Sequence, residues 1–252
     1  MSSFFRKFRK EIGIDLGTAN TLVYVKGRGV IINEPSVVAV NTKTEQILAV
    51  GHEAKDMLGK TPPHIVTTRP LTHGIISDFE VTEKMLRYFV DIVYEDSSLN
   101  FLSRPRIVIG APVDITEVER RAIGDAVMNS GSHEVWIVEE SMASAIGSRM
   151  PVREPIGNLI VEMGGGTCEI AVISLSGITT RKSIKIAGDE LNRNIVQYAR
   201  DVFNLLLGER QAEEIKIKVG SAIDLSEPLQ FPMRGRDLLT GLPREVMIND
   251  TQ

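Results

Sequence analysis

The sequence predicts an α/β protein made of two related halves, and three observations carry that prediction. Short apolar runs suited to strands alternate with amphipathic stretches of helical period. A glycine-bearing turn between two apolar runs occurs near the N-terminus and again past the middle, each time just after an acid. The 252 residues, 42% hydrophobic and 25% charged, have ordinary globular composition and are enough for two cores.

Taken in order, residues 1–10 differ from everything that follows. On a helical wheel of about 100° per residue, Met1, Phe4, Phe5 and Phe8 share an arc of roughly 100°. Arg6, Lys7, Arg9 and Lys10 take the other side with Ser2 and Ser3. Such a helix suits an anionic membrane surface, and a frayed basic tail is the plainer alternative. Residues 12–25 read as a hairpin of two apolar strands around Gly17-Thr18-Ala19-Asn20. Residues 30–40 and 46–50 are β-rich, and 55–58 form a short helix. Residues 81–94 place Met85, Leu86, Phe89, Val90 and Val93 at helical spacing. A strand at 106–111 leads to a helix at 116–130 with Thr116 as its cap. A strand at 135–138 runs into a helix at 141–148.

Residues 151–155 form a linker-like stretch, after which the pattern restarts. Residues 159–163, the turn Gly164-Gly165-Gly166 and residues 168–175 make a second apolar hairpin. Residues 189–203 and 212–217 are helical, and the Pro/Gly-rich stretch 226–242 reads as strands and loops.

The totals exclude several classes. A net charge of −4 gives no electrostatic case for nucleic acid as a partner. The single cysteine, Cys168, excludes an internal disulfide framework and a Cys-rich metal site, and fits a reducing compartment. No apolar run approaches the roughly 20 residues that span a bilayer, and the N-terminus lacks the apolar stretch of a secretory signal. A soluble chain kept inside the cell is the expectation.

The two turns hold the chemistry. Asp15-Leu16-Gly17-Thr18 and Glu162-Met163-Gly164-Gly165 each set an acid two positions before the first glycine, with Thr18 or Thr167 close behind. Glycines let a backbone approach an anion closely and adopt positive φ, and successive N–H groups form an anion-binding concavity. The neighbouring carboxylates repel phosphate but hold a divalent cation, usually through water, and the cation bridges to the phosphates. Two such turns would clamp a polyphosphate and its Mg2+ from both sides. A plain hairpin is the bland reading of either turn alone.

With both turns in view, the sequence resembles the actin, sugar kinase and heat-shock chaperone ATPase superfamily, and within it the MreB family of bacterial actins. The resemblance runs from Gly13 to Pro243. It rests on Gly13-Ile14-Asp15-Leu16-Gly17-Thr18-Ala19-Asn20-Thr21, Asn33-Glu34-Pro35-Ser36-Val37-Val38-Ala39 and Glu117-Val118-Glu119-Arg120-Arg121-Ala122-Ile123. The second half adds Ala187-Gly188-Asp189, Gly208-Glu209-Arg210, Ala212-Glu213-Glu214-Ile215-Lys216, Gly235-Arg236-Asp237-Leu238 and Thr240-Gly241-Leu242-Pro243.

The resemblance implies an actin-like ATPase fold of two ribonuclease H-like domains around a nucleotide cleft, incomplete at the C-terminus. The implied large subdomain spans 11–38 and 72–152, with small subdomain 39–71; residues 153–187 and 188–252 form the second pair. ATP and Mg2+ are the implied cofactors. Asp15 and Glu162 would hold Mg2+ through water. Thr18, Ala19 and Asn20 would line the first phosphate loop, and Gly164, Gly165, Gly166 and Thr167 the second. Glu213, Glu214 and Lys216 would lie along the ribose and adenine. Glu140, aligned with the acid that orients or deprotonates the attacking water, and Thr167 are the implied catalytic residues; the plain reading of Glu140 is a helix-start acid favoured by the dipole.

Three departures from the family pattern stand out. Glu162 replaces the usual Asp, moving the carboxylate by roughly 1.5 Å, and so could alter Mg2+ placement or slow hydrolysis. Ser141 and Cys168 replace a usual proline and threonine, and Cys168 reads as a small buried residue. The chain also stops at Gln252, before the family's second adenosine-binding glycine motif, so weakened ATP binding is expected.

The implied function is a slowly hydrolysing, polymerising ATPase at the inner face of the cell membrane that organises cell-wall synthesis and rod shape. Its implied partners are further copies of itself, in head-to-tail protofilaments paired antiparallel, the membrane surface and cell-wall elongation proteins. Leu99, Phe101 and Leu102 stand where relatives carry a membrane-inserting loop, and the helix at 116–130 where protofilaments meet. Two alternatives are a nucleotide-gated scaffold with little or no hydrolysis, favoured by Glu162, and a small-molecule kinase of the same fold. The kinase would need an inserted substrate pocket, and no such insertion is found.

Overall fold

The computed structural model describes residues 10–95 and 104–251. The aromatic face of Phe4, Phe5 and Phe8 and the apolar loop of Leu99, Phe101 and Leu102 lie outside the described residues. The chain forms two compact units that divide between Lys185 and Ile186.

Alternating burial builds the central sheet of the first unit. In β1 (Glu11–Leu16), Ile12, Ile14 and Leu16 are buried, and in the antiparallel β2 (Asn20–Val25) so are Thr21, Val23 and Val25. The strand β3 (Gly29–Pro35) continues the meander. On its other side β1 runs parallel to β9 (Arg106–Ala111), and β9 parallel to β10 (Glu134–Glu139), giving the order β10-β9-β1-β2-β3. Two helices cover the inward face. They are α2 (Phe79–Glu95), through Met85, Leu86, Phe89, Val90 and Val93, and α3 (Glu117–Asn129), through Ile123, Ala126 and Val127. Thr116 caps helix α3, as the sequence led us to expect, and Glu119 completes a capping box with it that the sequence reading did not name.

A small sheet, β5-β4-β6, pairs β4 (Val38–Asn41) with β5 (Gln46–Val50) and β6 (Ile65–Thr68) around a minor core of Val37, Ala39, Ala49 and Ala54. The short helix expected at 55–58 begins earlier, as α1 (His52–Met57). A two-residue-strand hairpin follows, β7 (Leu71–Thr72) and β8 (Ile75–Ile76), which carries too few residues to show a period.

Helix α4 (Glu140–Gly147) follows β10 directly and packs through Ala145 against Ile160, Ala171 and Ile173 of a second sheet. That sheet is β11 (Asn158–Met163), β12 (Cys168–Ser174) and β13 (Gly177–Ile184), all antiparallel. Residues 151–155 lie within the first unit, where the Glu154 carbonyl accepts from Leu175 N–H and the Val152 carbonyl from Ser176 N–H.

The second unit packs α5 (Gly188–Phe203) and α6 (Glu209–Val219) on the sheet β14 (Leu205–Leu206), β15 (Gln230–Asp237) and β16 (Pro243–Asn249). Its Gly235-to-Pro243 string is a turn built on Asp237. That carboxylate accepts from the N–H groups of Leu239 and Thr240, both at 2.9 Å, and from Arg244 at 3.0 Å. Those donors, the Thr240 N–H foremost, hold its pKa down at about 2.

Candidate functional site

Both glycine turns fall in the first unit, and they close in the same way. Gly17 N–H donates to the Asn20 carbonyl at 3.1 Å, and Gly164 N–H to the Thr167 carbonyl at 2.9 Å. The first turn is braced by buried hydroxyls. Ser36 Oγ donates to the Gly17 carbonyl at 2.6 Å and shares a 2.9 Å hydrogen bond with Thr21 Oγ1.

The two turns touch. A Cβ added at Gly165 would stand 2.6 Å from Ala19 Cβ, and one at Gly166 would stand 2.5 Å from Thr18 Oγ1 and 2.8 Å from His73 Cα. Gly17, Gly164, Gly165 and Gly166 all lack positive φ; Gly17, Gly165 and Gly166 serve close approach rather than a left-handed backbone, whereas a Cβ at Gly164 would come no nearer than 3.6 Å to the Thr167 carbonyl oxygen. A third element joins them that the sequence reading missed, the tip of the β7–β8 hairpin. His73 and Gly74 both have positive φ, as a two-residue hairpin turn requires. Gly74 N–H donates to Thr18 Oγ1 at 2.8 Å, and His73 Nδ1 donates to the Gly166 carbonyl at 3.1 Å.

These turns border a cavity of about 170 Å³ onto which four carboxylates open, Asp15, Glu140, Glu162 and Glu169. Crowding shapes their protonation. Loss of water around Asp15, and the facing charge of Glu162, push its carboxyl above the usual range. Burial drives Glu140 up to about 8, helped by the charges of Asp15, Glu169 and Glu162. Burial also raises Glu169, although Val113 N–H and Ser141 Oγ, each at 3.0 Å, stabilise its charged form. Glu162 Oε2 accepts from Ser144 Oγ at 2.9 Å.

Asp15, Thr18, Ala19, Asn20, Glu140, Glu162, Gly164, Gly165, Gly166 and Thr167 all line this cavity. Glu213, Glu214 and Lys216 lie on α6 of the second unit. There Lys216 Nζ donates to the Gly188 carbonyl at 3.0 Å and Glu214 pairs with Arg210 at 3.5 Å. Cys168 is buried and free. Besides the His73-Gly74 tip, the sequence reading missed Ser36 and Glu169. Glu169 had a signal, because counting outward from the Gly164–Thr167 turn makes it the cross-strand partner of Glu162.

The donor set fits Mg2+: carboxylates and hydroxyls are hard oxygen ligands. Among the described residues no three His, Cys, Asp or Glu side chains are grouped to hold a metal ion unaided. Mg2+ characteristically completes its shell with water and phosphate rather than with a protein cage.

Known proteins resemble this chain over most of its length. The family model described as MreB/Mbl protein matches residues 9–252. Cell shape-determining protein Mbl of Bacillus cereus is 48% identical over 241 residues, which is 96% of this chain and 72% of that protein. Cell shape-determining protein MreB of Escherichia coli is 44% identical over 256 residues, which is 100% of this chain and 73% of that protein. Among solved structures, MreB5 of Spiroplasma citri bound to ADP superposes with a TM-score of 0.90 at 35% identity, covering 96% of this chain and 72% of that one. The same protein bound to AMPPNP gives 0.89 at 36% identity, with the same coverage. A MamK double helical filament, at 22% identity with a TM-score of 0.76 over 97% of this chain and 73% of that one, shares the fold.

Proposed function

The chain belongs to the MreB/Mbl family of cell shape-determining proteins and shares its actin-like fold, and from that premise we propose that it binds ATP with Mg2+ in the cavity between the two turns and polymerises at the inner face of the cell membrane to organise cell-wall synthesis. One observation carries the nucleotide part. Two matched turns meet at one cavity lined also by Thr18, Thr167 and four carboxylates, and turns of this kind bind anions while such acids admit a polyphosphate only with a cation between. Relatives of this fold are solved with ADP and AMPPNP bound.

Asp15 and Glu162 would hold the cation through water, and the cation supplies the positive charge that joins acids to phosphates. The turns orient the phosphates. Glu140, the first residue of α4, faces the cavity from a partly buried position and orients water there. The four-subdomain division and the adenosine-side role of Glu213, Glu214 and Lys216 belong to the same proposal. So do the membrane contacts of Phe4, Phe5, Phe8, Leu99, Phe101 and Leu102, head-to-tail assembly, and pairing through the outer face of α3.

A second reading, a nucleotide-gated scaffold with little hydrolysis, is favoured by the burial of Glu140, which, with the charges of Asp15, Glu169 and Glu162 and no cation to offset them, pushes its carboxyl up to about 8. A protonated acid accepts no proton from water. The test is sedimentation with anionic liposomes with and without Mg-ATP, electron microscopy of the pellet, and phosphate release. Paired filaments with steady phosphate release support the first reading, and filaments without release support the scaffold. No nucleotide binding in the presence of Mg2+ overturns both.

A further inference from the structure

Helix α4 carries two serines one turn apart, and each holds a carboxylate of the second hairpin. Ser141 Oγ donates to Glu169 Oε2 at 3.0 Å, and Ser144 Oγ to Glu162 Oε2 at 2.9 Å. The two acceptors are direct cross-strand partners on β11 and β12, flanking the Gly164–Thr167 turn. The spacings match, because residues i and i+3 on a helix and directly opposed residues on paired strands both stand about 5 Å apart. Two carboxylates facing each other across strands repel, so each hydroxyl both satisfies an acceptor and holds its acid toward the helix. Glu169 extends the grip by accepting from Val113 N–H, in the segment after β9, at 3.0 Å. Ser141 is also a point where this chain departs from the family's usual proline, and Glu162 from its usual Asp. The two departures thus fall within one set of hydrogen bonds.

We propose that Ser141 and Ser144 are positioning residues: by holding Glu169 and Glu162 they bind the second phosphate turn to the helix that begins with Glu140, so that turn and acid move together. With Oε2 of Glu162 occupied by Ser144, the other oxygen is left for the cation's water, in a fixed orientation. Ligand-orienting hydrogen bonds of this kind are worth about 10- to 100-fold in metal affinity. The shorter Asp at 162 would withdraw its carboxylate by roughly 1.5 Å, out of reach of Ser144. Ser144 and Glu162 therefore work as a matched pair.

The cation part rests on the Mg-nucleotide reading above, and the experiment separates the two. In the full chain, the Mg2+ concentration that half-saturates binding of a fluorescent ATP analogue is measured for the parent, S144A, S144T, E162D and S144A/E162D. Amide exchange at residues 164–167 is measured without nucleotide. We expect S144A to raise the half-saturating Mg2+ about tenfold, S144T to restore it to within about twofold, and S144A to add nothing in the E162D background. We expect exchange at 164–167 to quicken about tenfold in S144A while exchange in β1 stays unchanged. A parental Mg2+ titration in S144A, or an equal effect in both backgrounds, overturns the role toward the cation. Should the parent bind no nucleotide, the functional reading falls, and the exchange data still decide the clamp. Equal protection of 164–167 in parent and S144A overturns it.

Discussion

Replacing Glu140 by glutamine isolates the electrostatic cost that the site carries without its ligand. The glutamine keeps the shape and hydrogen-bonding capacity but not the titration. The ordinary Glu pKa of 4.5 is raised to about 8 in the folded chain, first by burial and then by Asp15, Glu169 and Glu162. Between those values the folded state holds a proton that the unfolded chain has released. Raising the pH therefore destabilises the fold. By linkage the cost is about 1 kcal/mol at pH 5, about 3 at pH 7 and about 5 at pH 9. Water entering the open cavity lowers that ceiling, so the stability difference between variant and parent should widen by about 2–4 kcal/mol from pH 5 to pH 9. The single tryptophan, Trp136, lies in β10, four residues before Glu140, and its fluorescence follows the first unit alone. Urea unfolding read by that fluorescence is the assay. E140Q should be the more stable protein, with a flatter profile. Parallel profiles would refute the assignment of a proton to Glu140 at neutral pH.

Three further outcomes follow from the geometry. Gly166→Ala places a methyl within 2.5 Å of Thr18 Oγ1 and 2.8 Å of His73 Cα. It should cost about 1–3 kcal/mol by overpacking and weaken binding of a fluorescent ATP analogue more than tenfold, both measured on the purified chain. Val118, 79% exposed in the first turn of α3, tolerates aspartate within about 0.5 kcal/mol. V118D should abolish paired filaments in electron micrographs while leaving nucleotide binding unchanged. Asp237, held at about 2 by its donors, lends stability that is present above the unfolded value of 3.8 and lost as pH falls through about 2. In D237N, amide exchange at Leu239 and Thr240 should quicken at pH 5 and lose its acid dependence.

What the sequence revealed and what it hid divide along local and non-local physics. The two glycine hairpins, β9 and the capped start of α3 were legible because apolar strand runs and a threonine before a helical period are written in adjacent residues. The strand β13 was not. Its sequence is polar, largely exposed and β-competent only through pairing with β12. The β7–β8 hairpin is too short for a period, yet its His73-Gly74 tip reaches Thr18 and Gly166. The prolines at 151 and 155 read as a linker, whereas hydrogen bonds from Leu175 and Ser176 fix that stretch inside the first unit. At the site, Asp15 and Glu162 were legible from their places before glycine. Ser36 brings its hydroxyl from another strand, and that contact exists only once the sheet has formed.

The likeness of the two hairpins ends at their cross-strand partners, and the difference has a dynamic consequence. Asp15 pairs with Leu22, whereas Glu162 pairs with Glu169. The first turn is braced by the uncharged hydroxyls of Ser36 and Thr21, both fully buried. These bonds are indifferent to charge in the cavity. The second turn hangs between two carboxylates held by serines, so its geometry responds to any cation that enters. A cation relieves the repulsion between Glu162 and Glu169 across the second hairpin, whereas within the first hairpin Asp15 faces the uncharged Leu22 and meets a like charge only in Glu162 of the other hairpin. Adding Mg-ATP should therefore protect the amides of residues 164–167 from exchange several-fold more than those of 17–20, measured in the full chain by amide exchange with and without Mg2+. Equal protection of both turns would mean that the hairpins act as equivalent halves of the clamp and that their different braces carry no mechanical weight.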